Sequence, residues 1–229
     1  SHTGYIKRVP MTAYRSQRRG GRGLTAATTK EEDFVERLFV ASTHSYLLLF
    51  TNRGRVYWLK VHEIPVGTRQ ARGRSILNLI STRKEERIAA FLPVRDFDAR
   101  CFVILATRRG GIKKTPLSLY RHPRRNGVTA ILLREGDALI GADLTEPGQD
   151  VILATRKGKA IRFPESDARP MGRTATGVRG VRLHGPDDEV VGMVVARDPN
   201  DSLLVVTERG FGKRSELADY RITRRGGQG

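Results

Sequence analysis

The chain has 229 residues, with 42 Lys and Arg against 24 Asp and Glu, for a formal charge of +18. About 46% of its residues are apolar when Gly is counted, which suits a folded globular domain and is too many for a disordered polyelectrolyte. Its apolar runs, such as 46–50 and 101–106, fall far short of the ~20 residues that cross a bilayer, no signal-peptide pattern opens the sequence, and the single Cys101 permits neither an internal disulfide nor a cysteine zinc site.

Taken in chain order, the predicted elements repeat. A strand–turn–strand signature opens at Gly4-Tyr5-Ile6 and returns at Thr51-Asn52-Arg53-Gly54, Thr107-Arg108-Arg109-Gly110, Thr155-Arg156-Lys157-Gly158 and Thr207-Glu208-Arg209-Gly210. The turn glycines lie 50, 56, 48 and 52 residues apart, and a second glycine-bearing segment follows each after 17 to 19 residues. Two landmarks in step over five copies mark a repeat architecture, with copies near 1–42, 43–98, 99–149, 150–200 and 201–229. Short β-branched runs at 138–144, 151–155, 160–163 and 180–183 read as the four strands of one unit, and glycine at the turn supplies the positive φ of a tight hairpin. Helical periodicity is weak, strongest over 29–39, and predicts no long helix. The fold class is therefore all-β: one domain of four-stranded blades of about fifty residues, arranged as in a propeller, with about four complete blades and partial ones at the ends.

Arginine supplies 33 of the 42 cations. Its planar fork grips phosphate in a bidentate way, so a chain this basic points to a polyanion, nucleic acid foremost, although a GC-rich genome also favours arginine. The second landmark carries the densest pattern. In the first copy it reads Gln17-Arg18-Arg19-Gly20-Gly21-Arg22-Gly23, a loop whose glycines let backbone N–H groups approach a phosphate while the arginines close around it. Later versions carry Arg69, Arg72 and Arg74, then Arg121, Arg124 and Arg125, then Arg169, Arg173 and Arg179, and last Arg224 and Arg225. Basic residues also follow the hairpin turns, at Lys7 and Arg8, Arg55, Lys113 and Lys114, Lys159 and Arg162, and Lys213 and Arg214. In a ring, equivalent positions fall on equivalent parts of the rim and would form a continuous basic band along which a bent duplex could run. No base-reading pattern accompanies them, so contact with the DNA backbone is expected.

The heptad at 17–23 resembles the gyrase-A box of the DNA gyrase C-terminal domain, the signature of the gyrase A subunit. The resemblance extends through Lys30-Glu31-Glu32-Asp33-Phe34, Gly54-Arg55-Val56-Tyr57, Ala71-Arg72-Gly73-Arg74, Arg169-Pro170-Met171-Gly172-Arg173 and Thr176-Gly177-Val178-Arg179-Gly180. It implies a six-bladed β-pinwheel whose blades exchange a strand, of which this chain would lack the end of the fifth blade and the sixth. It also implies positive, right-handed wrapping of duplex DNA that depends on the box. The partners implied are the N-terminal part of the A subunit, which carries the cleaving tyrosine, and the B subunit in an A2B2 holoenzyme of the bacterial cytoplasm and nucleoid. ATP and Mg2+ would act elsewhere in that holoenzyme, with no cofactor in this domain and the isolated domain a monomer. An intact heptad favours gyrase over the A subunit of topoisomerase IV.

No catalytic residue and no metal ligand emerges from the sequence. His2, His44, His62, His122 and His184 lack metal-ligand spacing, and there is no P-loop pattern. Besides the wrapping reading stand a topoisomerase IV-type DNA-binding domain, a basic propeller docking an acidic protein, and a single-stranded RNA binder. The last needs exposed stacking aromatics, whereas Tyr57, Trp58 and Phe163 sit in strand patterns that predict core.

Overall fold

A computed structural model describes residues 1–14 and 33–229. The heptad Gln17 to Gly23 lies outside the described residues. In chain order the strands are β1 (Tyr5–Ile6), β2 (Tyr46–Thr51), β3 (Arg55–Lys60), β4 (Arg74–Ser75), β5 (Ile88–Val94), β6 (Phe102–Thr107), β7 (Gly111–Pro116) and β8 (Val128–Thr129). There follow β9 (Leu139–Thr145), β10 (Asp150–Thr155), β11 (Ala160–Pro164), β12 (Val178–Arg179), β13 (Val190–Ala196), β14 (Ser202–Val206) and β15 (Gly212–Glu216). Among the described residues there is no α-helix, only 3-10 turns of three or four residues, and 33–39 adopts no regular structure.

The strands form five antiparallel sheets. Two have four strands, in the orders β5-β2-β3-β8 and β12-β7-β6-β9; the others are β11-β10-β13, β1-β4 and β14-β15. In the two four-stranded sheets the hairpin of one copy forms the middle of the blade. The long strand that ends the copy pairs with the first hairpin strand, and the two-residue strand of the following copy pairs with the second. Strands β5, β9 and β13 converge, with β9 between the other two, so they form the inner edge and the donated strands the outer one.

This exchange corrects the expected grouping of strands. Residues 138–144 pair with the preceding hairpin, and 180–183 form no strand. The unit around β10 instead uses the longer apolar run β13. It also corrects the count of complete blades: two sheets reach four strands among the described residues, because a blade needs strands from two successive copies.

The hairpin motif Thr-x-x-Gly has a local cause. The turn glycine N–H donates to the threonine carbonyl at 2.9 Å for Gly54 and 3.0 Å for Gly110 and Gly158. The threonine Oγ1 accepts from the residue after the glycine, at 3.3 Å from Arg55 N and 3.0 Å from Gly111 N. The glycines hold φ of 76°, 83° and 76° at 54, 110 and 158, left-handed values that L side chains resist.

The core lies between blades, which explains why the hairpin strands are apolar without alternation. Leu48 and Phe50 pack with Val103 and Leu105 of the next blade, while Leu47 and Leu49 face Tyr57, Leu59 and Ile76. Ile104 and Ala106 pack with Val151 and Leu153. A strand buried on both faces reads as a continuous hydrophobic run. Tyr57 and Phe163 are buried, as their strand patterns predict, and Trp58 is half-buried.

Candidate nucleic-acid interface

Each arginine-bearing loop leaves a 3-10 turn and runs beside the preceding blade, and the loops 65–74, 121–127 and 168–177 end in the donated strands β4, β8 and β12. Single parallel bridges join Arg8 to Val66, Lys114 to Pro170 and Arg162 to Ile222. Beyond the donated strand the chain returns to the turn glycine of that same blade, where Ile76 N donates to Gly4 O at 2.9 Å, Ala130 N to Gly54 O at 2.8 Å and Gly180 N to Gly110 O at 2.7 Å. The loops 65–74, 121–127, 168–177 and 221–227 therefore sit on the outer edge.

Their glycines serve this crossing. Gly73 (φ 84°) and Gly127 (φ 63°) approach the neighbouring strand so closely that a Cβ would stand 2.6 Å from Ile6 O and 2.8 Å from Val56 O. A Cβ on Gly177 (φ 83°) would collide with Ile112 O. The sequence analysis gives close approach to phosphate to the glycines of the heptad 17–23; in these three later loops the glycines approach protein backbone.

Arg72, Arg74, Arg121, Arg124, Arg125, Arg169, Arg179 and Arg224 are exposed, and Arg69, Arg173 and Arg225 are half-buried. None of these arginines is ion-paired among the described residues. Arg221 shares their position and exposure and is absent from the sequence-based expectation; the signal is the Tyr-Arg pair after the 3-10 turn, Tyr120-Arg121 and again Tyr220-Arg221. The hairpin-turn end differs. There Arg53 pairs with Glu85 at 3.2 Å, and Arg156 and Arg108 share Glu189 at 3.3 and 4.0 Å. Asp188 belongs to this end: burial raises its pKa, but the N–H groups of His184, Lys157 and Glu189 outweigh that and hold it below the usual carboxylate range. The arginines of the loop edge thus lack the acidic partners that Arg53, Arg108 and Arg156 have at the hairpin-turn end.

Lys113 and Lys114 are a correction to the expected rim. They are 0% and 4% exposed and cannot meet a duplex. Lys113 Nζ donates to Gly172 O and Arg173 O, both at 2.8 Å. Burial, and then repulsion from Arg173, push its pKa down to about 7. Lys114 Nζ makes a buried ion pair with Glu165 and donates to the Glu165 carbonyl at 3.2 Å. Arg162 is 9% exposed, with Asp150 at 2.7 Å. Alternation along β7 would have sent one of the two lysines to solvent, but this strand is covered on both faces. Lys213 and Arg214, at the equivalent positions of the last copy, are exposed.

Among the described residues no cluster of His, Cys, Asp and Glu could hold a metal ion, and no helix is long and apolar enough to cross a membrane. The Cys101 thiol is pushed up by burial and by the Glu146 carboxylate.

Both the sequence and the fold match known proteins. The family model of the DNA gyrase C-terminal domain, a beta-propeller, matches residues 1–42, 45–95, 102–146, 149–197 and 201–229. The DNA gyrase A subunit of Salmonella typhimurium is 48% identical over 229 residues, which cover 100% of this chain and 26% of that protein. The chain thus spans about a quarter of the length of the curated relatives it matches. Among solved structures, the C-terminal domain of a DNA topoisomerase IV aligns with a TM-score of 0.81 at 30% identity, over 100% of this chain and 69% of the other. A DNA gyrase A C-terminal domain aligns with a TM-score of 0.81 at 26% identity, over 99% and 73%.

Proposed function

The chain belongs to the DNA gyrase C-terminal domain family, and from that premise we propose that it binds duplex DNA along its outer edge, bends it and wraps it with positive handedness. The observation that carries the reading is the succession of arginine-bearing loops, one at each step from blade to blade, whose cations have no acidic partner among the described residues. Contacts of this kind position a duplex by its phosphates, and curvature comes from the ring rather than from base readout.

The proposed role is non-catalytic. A wrapped segment of positive sense would be handed to the gate formed by the N-terminal part of the A subunit, so that ATP-driven strand passage in an A2B2 holoenzyme with the B subunit introduces negative supercoils. ATP and Mg2+ act outside this chain, which works as a monomeric module of the larger protein in the bacterial cytoplasm, on nucleoid DNA. The heptad Gln17 to Gly23 supports gyrase over topoisomerase IV, although the two solved domains fit this chain equally well by TM-score.

The test is ligation of nicked circular DNA over a titration of the chain, with topoisomers resolved on two-dimensional gels. A dose-dependent positive linking difference supports wrapping. Retarded DNA without a linking change would mean bending alone and favour the topoisomerase IV-type role. No duplex binding at moderate salt would overturn the reading in favour of an acidic protein partner.

A further inference from the structure

Four cations that do not face solvent as rim residues share one arrangement. Lys7 Nζ donates to Thr68 O at 3.1 Å, to Ala71 O at 2.9 Å and to Arg69 O. Arg55 Nη2 donates to Asn126 O at 2.6 Å and Gly127 O at 2.9 Å. Lys113 Nζ holds Gly172 O and Arg173 O, and Arg162 Nη1 reaches Leu217 O at 2.6 Å and Tyr220 O at 3.3 Å. Every donor lies one to four residues past the turn glycine of one copy, and every acceptor belongs to the following copy, on its arginine loop or on the turn that leads into it.

The geometry points to Lys113, together with Lys7 and Arg55, as positioning residues for DNA: they grip the next repeat's arginine loop by its inner carbonyls, so that its arginines meet phosphate from a preformed backbone. The inference rests on the interface proposed above and adds to it a second population of cations that never touch DNA.

The chemistry explains why a cation is used. A loop that crosses from one blade to its neighbour leaves carbonyl oxygens without a sheet partner, part-buried around Lys113 Nζ and more open at Thr68 and Asn126. A buried carbonyl left unpaired carries its full desolvation cost. Two or three such oxygens converging on one point are answered by a lysine amine, with two donors when neutral and three when charged, or by a guanidinium with five, where a hydroxyl would satisfy one. The gripped carbonyls also belong to the functional residues: Arg69 O and Arg173 O are those of rim arginines, and Asn126 O follows Arg125 directly. Fixing these backbones in advance removes part of the ordering cost that a loose loop would meet on binding. The grip also works across the blade-to-blade step, tying each loop to the hairpin behind it, so neighbouring phosphate sites keep their spacing along the duplex path.

A double-mutant cycle tests this with the chain itself. Lys113→Met, Arg173→Ala and the double variant are titrated with a duplex at several salt concentrations, with Lys113→Arg as the conservative control. Arg173→Ala is expected to weaken binding about fivefold and to lower the salt slope by about one, as loss of one phosphate contact does. Lys113→Met is expected to reproduce both effects although its side chain is buried, the double variant to be no weaker than Arg173→Ala alone, and Lys113→Arg to restore the slope. A purely structural lysine would lower the unfolding midpoint and leave the slope unchanged, or would add to Arg173→Ala, and either result overturns the inference while leaving the interface intact. An Arg173→Ala variant with unaltered binding and slope would instead overturn the interface at this loop, and the inference with it. Should Lys113→Met fail to fold, the same cycle at Lys7→Met and Arg69→Ala decides the matter on the loop 65–74.

Discussion

The charge asymmetry between the two ends of the blades makes a quantitative prediction. The loop edge holds about nine exposed arginines with no acidic partner among the described residues, counting Arg221, and each phosphate neutralised contributes about −0.9 to the slope of log K against log salt, for a total near −8. Replacing Arg121, Arg124 and Arg125 by Ala should therefore reduce the slope by about 2.7 and weaken binding about 500-fold at 0.1 M salt, with the loss vanishing toward 1 M. The matched control removes the same formal charge from the other end, as Arg53→Ala, Arg108→Ala and Arg156→Ala. Those side chains already lie against Glu85 and Glu189, so their removal should change the slope by less than about one. Fluorescence anisotropy of a labelled duplex between about 0.1 and 0.5 M salt reads both slopes. Equal losses from the two triple variants would refute the reasoning, because binding would then follow net charge and not the loop edge.

Two further perturbations probe the fold that carries this edge. Gly177→Ala should destabilise the chain by more than about 3 kcal/mol, since it combines a left-handed φ with a collision against Ile112 O, whereas Gly158→Ala, with φ 76° and nothing within 4 Å, should cost only about 1–2 kcal/mol; denaturant midpoints compare them. The depressed pKa of Lys113 sets a pH dependence: the unfolded chain keeps this proton up to about 10.5 and the folded chain releases it near 7. Protonation therefore favours unfolding, and the lysine's contribution should improve as pH rises from about 7 to 10.5 and stay flat below that window. The difference in denaturation free energy between the native chain and Lys113→Met, followed across this range, should show that rise, and a flat difference would refute it.

Much of the fold is legible in the sequence because its period is enforced by chemistry that leaves residues behind. The Thr-x-x-Gly hairpin needs a hydroxyl acceptor and a left-handed glycine at fixed spacing, and the second glycine marks each crossing to the neighbouring blade. What the sequence hides is ownership. A two-residue strand such as β8 or β12 carries too little pattern to announce which sheet it joins, and only the collision between a Cβ at Gly127 or Gly177 and the strand behind it reveals the exchange. The same concealment divides the cations. Lys113 and Arg125 look alike as residues beside turns, yet one is closed off by the next copy's loop and the other stands in solvent. That distinction depends on contacts between residues about sixty positions apart, as from Lys113 to Arg173, and no local window contains it.

The division of cations bears on how such an edge could bend a duplex. Smooth bending of a 20–30 bp segment costs about 1–6 kcal/mol, and DNA yields only if the protein is the stiffer partner. Exposed arginines alone would not supply stiffness, since loops carrying like charges repel one another and would splay before the duplex curved. Stiffness here comes from behind the edge. The loops 65–74 and 168–177 are bridged to the preceding hairpin at one end and returned to that hairpin's glycine at the other, and the cores that hold the blades at their angles lie between them. The buried ion pair of Lys114 with Glu165 fastens the same step at its base, and Arg162, held by Asp150 of its own hairpin, reaches across the next step to Leu217 O and Tyr220 O. Replacing such pairs with well-packed apolar residues is often neutral or stabilising, so their value need not lie in folding free energy. A peg that is costly to bury but specific in what it grips fixes the rotation from blade to blade, and that rotation sets the curvature a bound duplex would have to adopt.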